Sequence, residues 1–307
     1  MIYVLPSIFL GWALGANDAA NVFGPSVASG LVPYRKATIV SAIFVVIGAV
    51  VGGAAGLETI GSLSTGDVVE GALSVLSAAI SVAIMTYFGL PVSTSQAVVG
   101  GIVGIGLILG GINLRILLKV VIAWLATPFG AMLLGYVLYK IATPIFRRIK
   151  SVQVQDLFLK IVAWIVGAYG SFSLGANNVA NVTGALVGKY LSVQMAALIG
   201  GLSIAFGILT YSRKVMMTVG KRIVELDHFS SLISIFAESL TVWVYALIGV
   251  PVSTSQAIVG GVLGAGYAKG TRLGSKKILL RIIFGWVGTP TVAGIISMGI
   301  YWIYTRF

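Results

Sequence analysis

The sequence predicts an all-α integral membrane protein made of two inverted-topology repeats. Each repeat holds about five apolar segments, with discontinuous helices or re-entrant hairpins meeting at the bilayer midplane. Three observations carry this. The 307-residue chain is 58% hydrophobic and 9% charged, with a mean hydropathy of +1.05, whereas soluble domains carry roughly a quarter charged residues. Two polar signatures each occur twice at one constant offset. The basic residues, finally, gather on one side of the apolar segments, the distribution that orients membrane helices.

The repeat comes first. LGANDAANV (Leu14 to Val22) returns as LGANNVANV (Leu174 to Val182), with seven of nine positions identical. GLPVSTSQAVVGGIVGIG (Gly89 to Gly106) returns as GVPVSTSQAIVGGVLGAG (Gly249 to Gly266), with thirteen of eighteen identical. Both pairs are offset by 160 residues, and LLKVVIAWLATP and LLRIIFGWVGTP form a third pair at 162. A boundary near Ser151 divides the chain into a first repeat, 1–150, and a second, 151–307, within one membrane domain.

Apolar stretches run about Ile2–Ser29, Ala37–Leu57, Val68–Leu90, Val92–Gly111 and Ile116–Ile145 in the first repeat. In the second they run about Leu157–Gly188, Leu191–Tyr211, Phe229–Val250, Val252–Ala268 and Ile278–Tyr304. The residues before Gly15 could pass for a signal peptide, but they have no basic leading region and a polar motif follows them, so the first stretch reads as a retained span. The third and fourth stretches of each repeat meet at PVSTSQ, as two full spans or as one re-entrant hairpin. Either way the chain returns to the side it left, each repeat crosses an odd number of times, and the second repeat is inverted. Inverted repeats around a midplane site are common in secondary transporters.

Charge agrees with this topology. Sixteen of the twenty basic residues (Arg35, Lys36, Lys140, Arg147, Arg148, Lys150, Lys160, Arg213, Lys214, Lys221, Arg222, Lys269, Arg272, Lys276, Lys277 and Arg281) fall on one predicted side. Only Arg115, Lys119, Lys189 and Arg306 fall on the other. The rich side is cytoplasmic by the positive-inside rule, which places both termini outside a multi-pass protein of the cell membrane. The net charge of +12 is thus a statement about orientation, and no nucleic-acid partner is expected.

The motifs carry the chemistry. Proline before Val-Ser-Thr-Ser-Gln ends one helix, and Ser93 or Thr94 can cap the next, leaving free N–H groups and the positive dipole end at the break. That is an anion site, to which Ser93, Thr94, Ser95, Gln96 and their counterparts Ser253, Thr254, Ser255 and Gln256 add donors. The plain alternative is hydroxyls bonding back to their own helix. Asn17, Asp18 and Asn21 lie within one helical turn, offering hard oxygens suited to an alkali cation; Asn177, Asn178 and Asn181 repeat the geometry without the charge. The alternative is interhelical hydrogen bonding, though an intramembrane acid is a functional candidate by default.

The paired motifs resemble those of the inorganic phosphate transporter family, which carries a Gly-x-Asn-Asp-x-x-Asn type and a Pro-Val-Ser-Thr-Thr/Ser type signature in each of two inverted repeats. LETIGS (Leu57 to Ser62) is similar to that family's acidic Glu-Thr-x-Gly element. The resemblance covers nearly the whole chain and implies import of inorganic phosphate coupled to sodium or protons. Sodium ions would then be the coupling ions, with no organic cofactor. Asn178 stands where many members have Asp, and Met217 where many have Glu, which shifts cation ligation toward the first repeat. The expected phosphate-binding set is Ser93, Thr94, Ser95, Gln96, Ser253, Thr254, Ser255 and Gln256 with Asn21 and Asn181. The expected sodium set is Asn17, Asp18, Asn21, Asn177, Asn178 and Asn181 with Glu58 and Glu238.

Glu58 reads equally as a ligand, a gate or a loop residue, and Glu238, mid-segment in SIFAESLTV, as a ligand facing the polar interior. His228 reads as a loop residue, and the prolines at Pro128 and Pro290 as helix kinks. A homodimer in the lipid bilayer is possible on the same reading. Competing functions are a proton-coupled or sulfate-carrying relative and, from another class, an ion channel with inverted re-entrant helices. An enzyme is not expected, since no nucleophile–base pair, metal cluster or nucleotide loop is visible.

Overall fold

The computed structural model describes residues 2–28, 30–63, 67–87, 92–222, 227–271 and 276–306, with the side chains of 218–222 and 276–283 left aside. Among these are twelve α-helices and no strand. The first repeat holds α1 (Leu5–Ala28), α2 (Tyr34–Gly52), α3 (Ala54–Leu63), α4 (Val68–Tyr87), α5 (Thr94–Leu109) and α6 (Leu114–Phe146). The second follows in the same order: α7 (Val152–Thr183), α8 (Val193–Tyr211), α9 (Arg213–Arg222), α10 (His228–Leu247), α11 (Thr254–Lys269) and α12 (Lys276–Tyr304). The fold is all-α with six corresponding helices per half, as inverted repeats require.

Seven of the helices are long and apolar enough to cross a membrane. Helix α1 is not among them, because Asn17, Asp18 and Asn21 lower its hydropathy. Two short helices were not expected. The second stretch of the first repeat ends early, at Gly52, that of the second repeat ends at Tyr211 as expected, and after each the chain starts again, as α3 and α9.

The halves interlock. Helix α1 packs on α8 and α7 on α2, while α5 packs on α12 and α11 on α6. Glycine permits the closest of these approaches. A Cβ on Gly15 would lie 2.0 Å from the Ile204 carbonyl oxygen, and one on Gly175 would lie 2.0 Å from that of Val45. Lipid gives helices no hydrophobic reason to associate, so contacts at this range, made through small residues, hold the bundle. The outward faces stay apolar; Ile122, Leu125, Phe129 and Leu133 of α6 are exposed in one stripe. Helices α6 and α12 run through Pro128 and Pro290.

Helices α4 and α5 pack together, as do α10 and α11. The first connection includes Pro91, which lies outside the described residues. In the second, Gly249 at φ +70° ends α10. Its N–H bonds the Ala246 carbonyl, and that of Val250 bonds the Tyr245 carbonyl, the pairing that closes a helix on a left-handed glycine. Buried Pro251 follows, and Ser253 opens α11.

Candidate functional site

The two PVSTSQ segments touch. Ser95 Oγ donates to the Val252 carbonyl at 2.8 Å, and Ser255 Oγ donates to the Val92 carbonyl, also at 2.8 Å. Each hairpin is therefore pinned to the other by a hydroxyl from the first turn of α5 or α11. Many other buried hydroxyls do bond back to their own helix, among them Ser74, Ser77, Ser81, Ser234 and Thr241. The motif serines are used differently. Ser93 and Ser253 cap their helices, accepting the N–H of Gln96 at 3.3 Å and of Gln256 at 3.2 Å.

The Asn-rich turns of α1 and α7 flank this junction. Asn177 brackets the second break, donating to the Val252 carbonyl at 2.8 Å and accepting its N–H at 3.1 Å. Asn17 accepts the Val92 N–H at 3.4 Å and donates to Thr86 Oγ1 at 3.0 Å. Across the repeats, Asn21 reaches Thr254 Oγ1 at 3.3 Å and Ser255 Oγ at 3.5 Å, and Asn181 reaches Ser95 Oγ at 2.9 Å.

The one charge in these motifs breaks the symmetry. Thr254 Oγ1 donates to Asp18 Oδ2 at 3.1 Å. In the mirrored position Asn178 turns to Asn181 at 2.9 Å, and Thr94 Oγ1 has no partner. Nine buried side-chain polar atoms among the described residues lack a partner, and six belong to the motifs: Asp18 Oδ1, Thr94 Oγ1, Gln96 Oε1, Asn178 Nδ2, Asn181 Oδ1 and Gln256 Oε1. Leaving such atoms unpaired costs about 1–3 kcal/mol each. Their gathering at two helix N-termini marks a place built for a polar ligand. Five of the six are oxygens, the donor set of a hard cation; the amide and hydroxyl N–H and O–H groups serve an anion.

The expected site residues Asn17, Asp18, Asn21, Asn177, Asn178, Asn181 and both Ser-Thr-Ser-Gln runs are all buried, and the contacts above join them into one cluster. Glu238 is also buried, on α10, with Asp18 as an electrostatic neighbour. Glu58 is not brought in. Its side chain is exposed on α3, which removes the expectation of a ligand inside the cluster and leaves the gate and loop readings. Thr86 is the residue that sequence reasoning missed. Its counterpart is Ala246, so no repeat marks it. The short helices also reach the hairpins: the Ala55 carbonyl of α3 lies against Gly249, and Lys214 of α9 donates to the Tyr87 carbonyl at 2.6 Å.

Comparisons with known proteins identify the family. A model of the phosphate transporter family matches residues 14–154 and again 146–297. A protein of Methanocaldococcus jannaschii named "Putative phosphate permease" is 31% identical over 95% of this chain and 93% of its own length. The sulfate permease CysP of Bacillus subtilis is 30% identical over 96% of this chain and 85% of its own length. A solved structure titled "The sodium-dependent phosphate transporter" shares the fold, with a TM-score of 0.85, 24% identity, and coverage of 100% of this chain and 98% of that one. The protein is a multi-pass membrane transporter rather than an enzyme, and it belongs to the phosphate transporter family.

Proposed function

We propose that the protein is a secondary active transporter that imports inorganic phosphate by symport with sodium, alternating access around the central site formed by both repeats. The observation that carries this is the cluster of unpartnered buried oxygens and one carboxylate between two opposed helix N-termini. Phosphate is assigned to the α5 and α11 N-termini with Ser93, Thr94, Ser95, Gln96, Ser253, Thr254, Ser255 and Gln256, reached by Asn21 and Asn181. The Ser95 and Ser255 hydroxyls would exchange the opposing carbonyls for phosphate oxygens, so loading the site would loosen the pin between hairpins. Sodium is assigned to Asp18 with Asn17, Asn21, Asn177, Asn178 and Asn181, and with Glu238 of α10. The repeats 1–150 and 151–307 are the units that move, both termini lie outside the cell membrane, the basic loops face the cytoplasm, and two copies of the chain pair in the bilayer.

Uptake of phosphate into proteoliposomes with and without an inward sodium gradient tests the reading. Uphill accumulation that needs sodium supports it; passive equilibration at high flux per protein would indicate a channel. The likeness to a sulfate permease supports a second reading, a proton-coupled or sulfate-carrying permease. Competition by sulfate, and uptake driven by a proton gradient alone, separate the two.

A further inference from the structure

Each hairpin tip is held by a lysine that belongs to neither hairpin. Helix α4 ends at Tyr87, whose carbonyl accepts the Lys214 ammonium of α9 at 2.6 Å, and the same ammonium lies 5.3 Å from the Tyr87 ring centroid. Helix α10 ends at Leu247, and the carbonyl of the next residue, Ile248, accepts the Lys119 ammonium of α6 at 3.4 Å. The last carbonyls of a helix lack partners within it and form the negative end of its dipole, so an ammonium is a fitting cap. The tips are equivalent, but their holders are not. At the offsets of the repeats, Lys214 corresponds to Ala54 and Lys119 to Arg281.

The two lysines act from opposite ends of the bundle. Between them the chain runs through α6, α7 and α8, each long and apolar enough to cross a membrane, and three crossings change sides. Lys119 stands near the start of α6, at the end where α5 finishes, whereas Lys214 stands on α9, between the finish of α8 and the start of α10. Helices α4 and α5 pack side by side, as do α10 and α11. The first hairpin therefore points its tip toward α9, and the second points its tip toward the start of α6. Each lysine meets the tip that faces it. Both lysines are exposed, so water can take over either ammonium when the contact parts, and a contact of this kind is weak enough to exchange. Thr94 and Thr254, which open α5 and α11 just beyond the tips, belong to the buried polar cluster. Opening that cluster to either end requires a tip to leave its holder.

We propose that Lys119 and Lys214 are positioning residues for transport: each latches one hairpin tip, and the balance of the two latches sets which end of the bundle the central site opens to. This rests on the alternating-access reading above. The test uses the full-length protein in vesicles. The chain has no cysteine, and Thr94 Oγ1 is buried without a partner, so Thr94→Cys places a thiol in the cluster at the loss of no hydrogen bond. A membrane-impermeant thiol reagent is applied to one face or the other, and the ratio of the two labelling rates is measured. Lys214→Met and Lys119→Met, which keep an apolar stem, should each change that ratio by about fivefold, in opposite directions. Lys214→Arg should stay at the wild-type ratio. An unchanged ratio in either methionine variant overturns the proposal, as does a shift of both toward the same face. Equal quickening from both faces also overturns it, because plain loosening of the bundle has no preferred side. Should a methionine variant not fold, Lys214→Gln and Lys119→Gln carry the same decision by the same opposed shifts. Labelling needs neither sodium nor phosphate, so a failure of the sodium–phosphate reading in the uptake assay leaves this result standing.

Discussion

Asp18 and Asn178 occupy equivalent places, yet only Asp18 receives the hydroxyl of the threonine opposite. A full charge attracts sodium far more strongly than an amide dipole, so the two should differ in their effect on cation dependence. Asp18→Asn should raise the sodium needed for half-maximal uptake by about tenfold or more, on the order of 1.4 kcal/mol. Asn178→Asp should disturb sodium activation less. Equal sodium requirements in wild type and Asp18→Asn would remove Asp18 from the cation site. Asp18 and its asparagine neighbours were legible in sequence because polar residues stand out in apolar segments and because the pattern repeats. Thr86 was not, since it lacks a repeat partner, and the exposure of Glu58 depends on α3, a helix whose existence no break in polarity signals between Gly52 and Ala54.

The hairpins are the elements on which the account turns. Their stretches were visible in sequence, but length alone left full spans and re-entry open; the hydroxyl-to-carbonyl bonds between opposite tips join the two breaks. Cysteine placed at 95 or 255 should react with a water-borne thiol reagent only through a shared cavity, and phosphate should protect both. Free reaction of each from its own aqueous face alone would contradict a common site. The base of the second hairpin has its own clasp, Lys269 Nζ to Asp227 Oδ2 at 2.7 Å. Burial works against ionising Asp227, but the Lys269 ammonium and the Ser230 hydrogen bonds outweigh it and hold the carboxyl below its ordinary value. A lowered folded value means the contribution is present at neutral pH and lost as pH falls through it. Protection of the amides at the start of α10, taken relative to their intrinsic exchange rates, should therefore be high at neutral pH and fall below about pH 4, and Asp227→Asn should show the lower protection at neutral pH. Pairing of helices between repeats is tested by Gly175→Ala, whose Cβ would strike the Val45 carbonyl. It should cost about 1–3 kcal/mol, seen as a lower unfolding temperature in detergent; an unchanged temperature would mean that α2 and α7 can part without loss.

At the scale of the whole molecule, the duplication and the charge bias were readable because both are properties of the entire chain. The interlocking of the halves was not, since which helix of one repeat meets which of the other depends on small residues such as Gly15 and Gly175 whose partners lie far away in sequence. The bundle core has no buried basic side chain among the described residues, and each helix end supplies only about half a charge. A monobasic phosphate and Asp18 together bring two negative charges, and leaving one unbalanced at membrane depth costs several kcal/mol. On the proposed reading sodium makes up the difference, with at least two ions for each phosphate. The flux of labelled sodium and labelled phosphate into the same proteoliposomes measures this directly: a coupling ratio of two or more is the expected result, and a ratio of one, or phosphate accumulation indifferent to sodium, would contradict it.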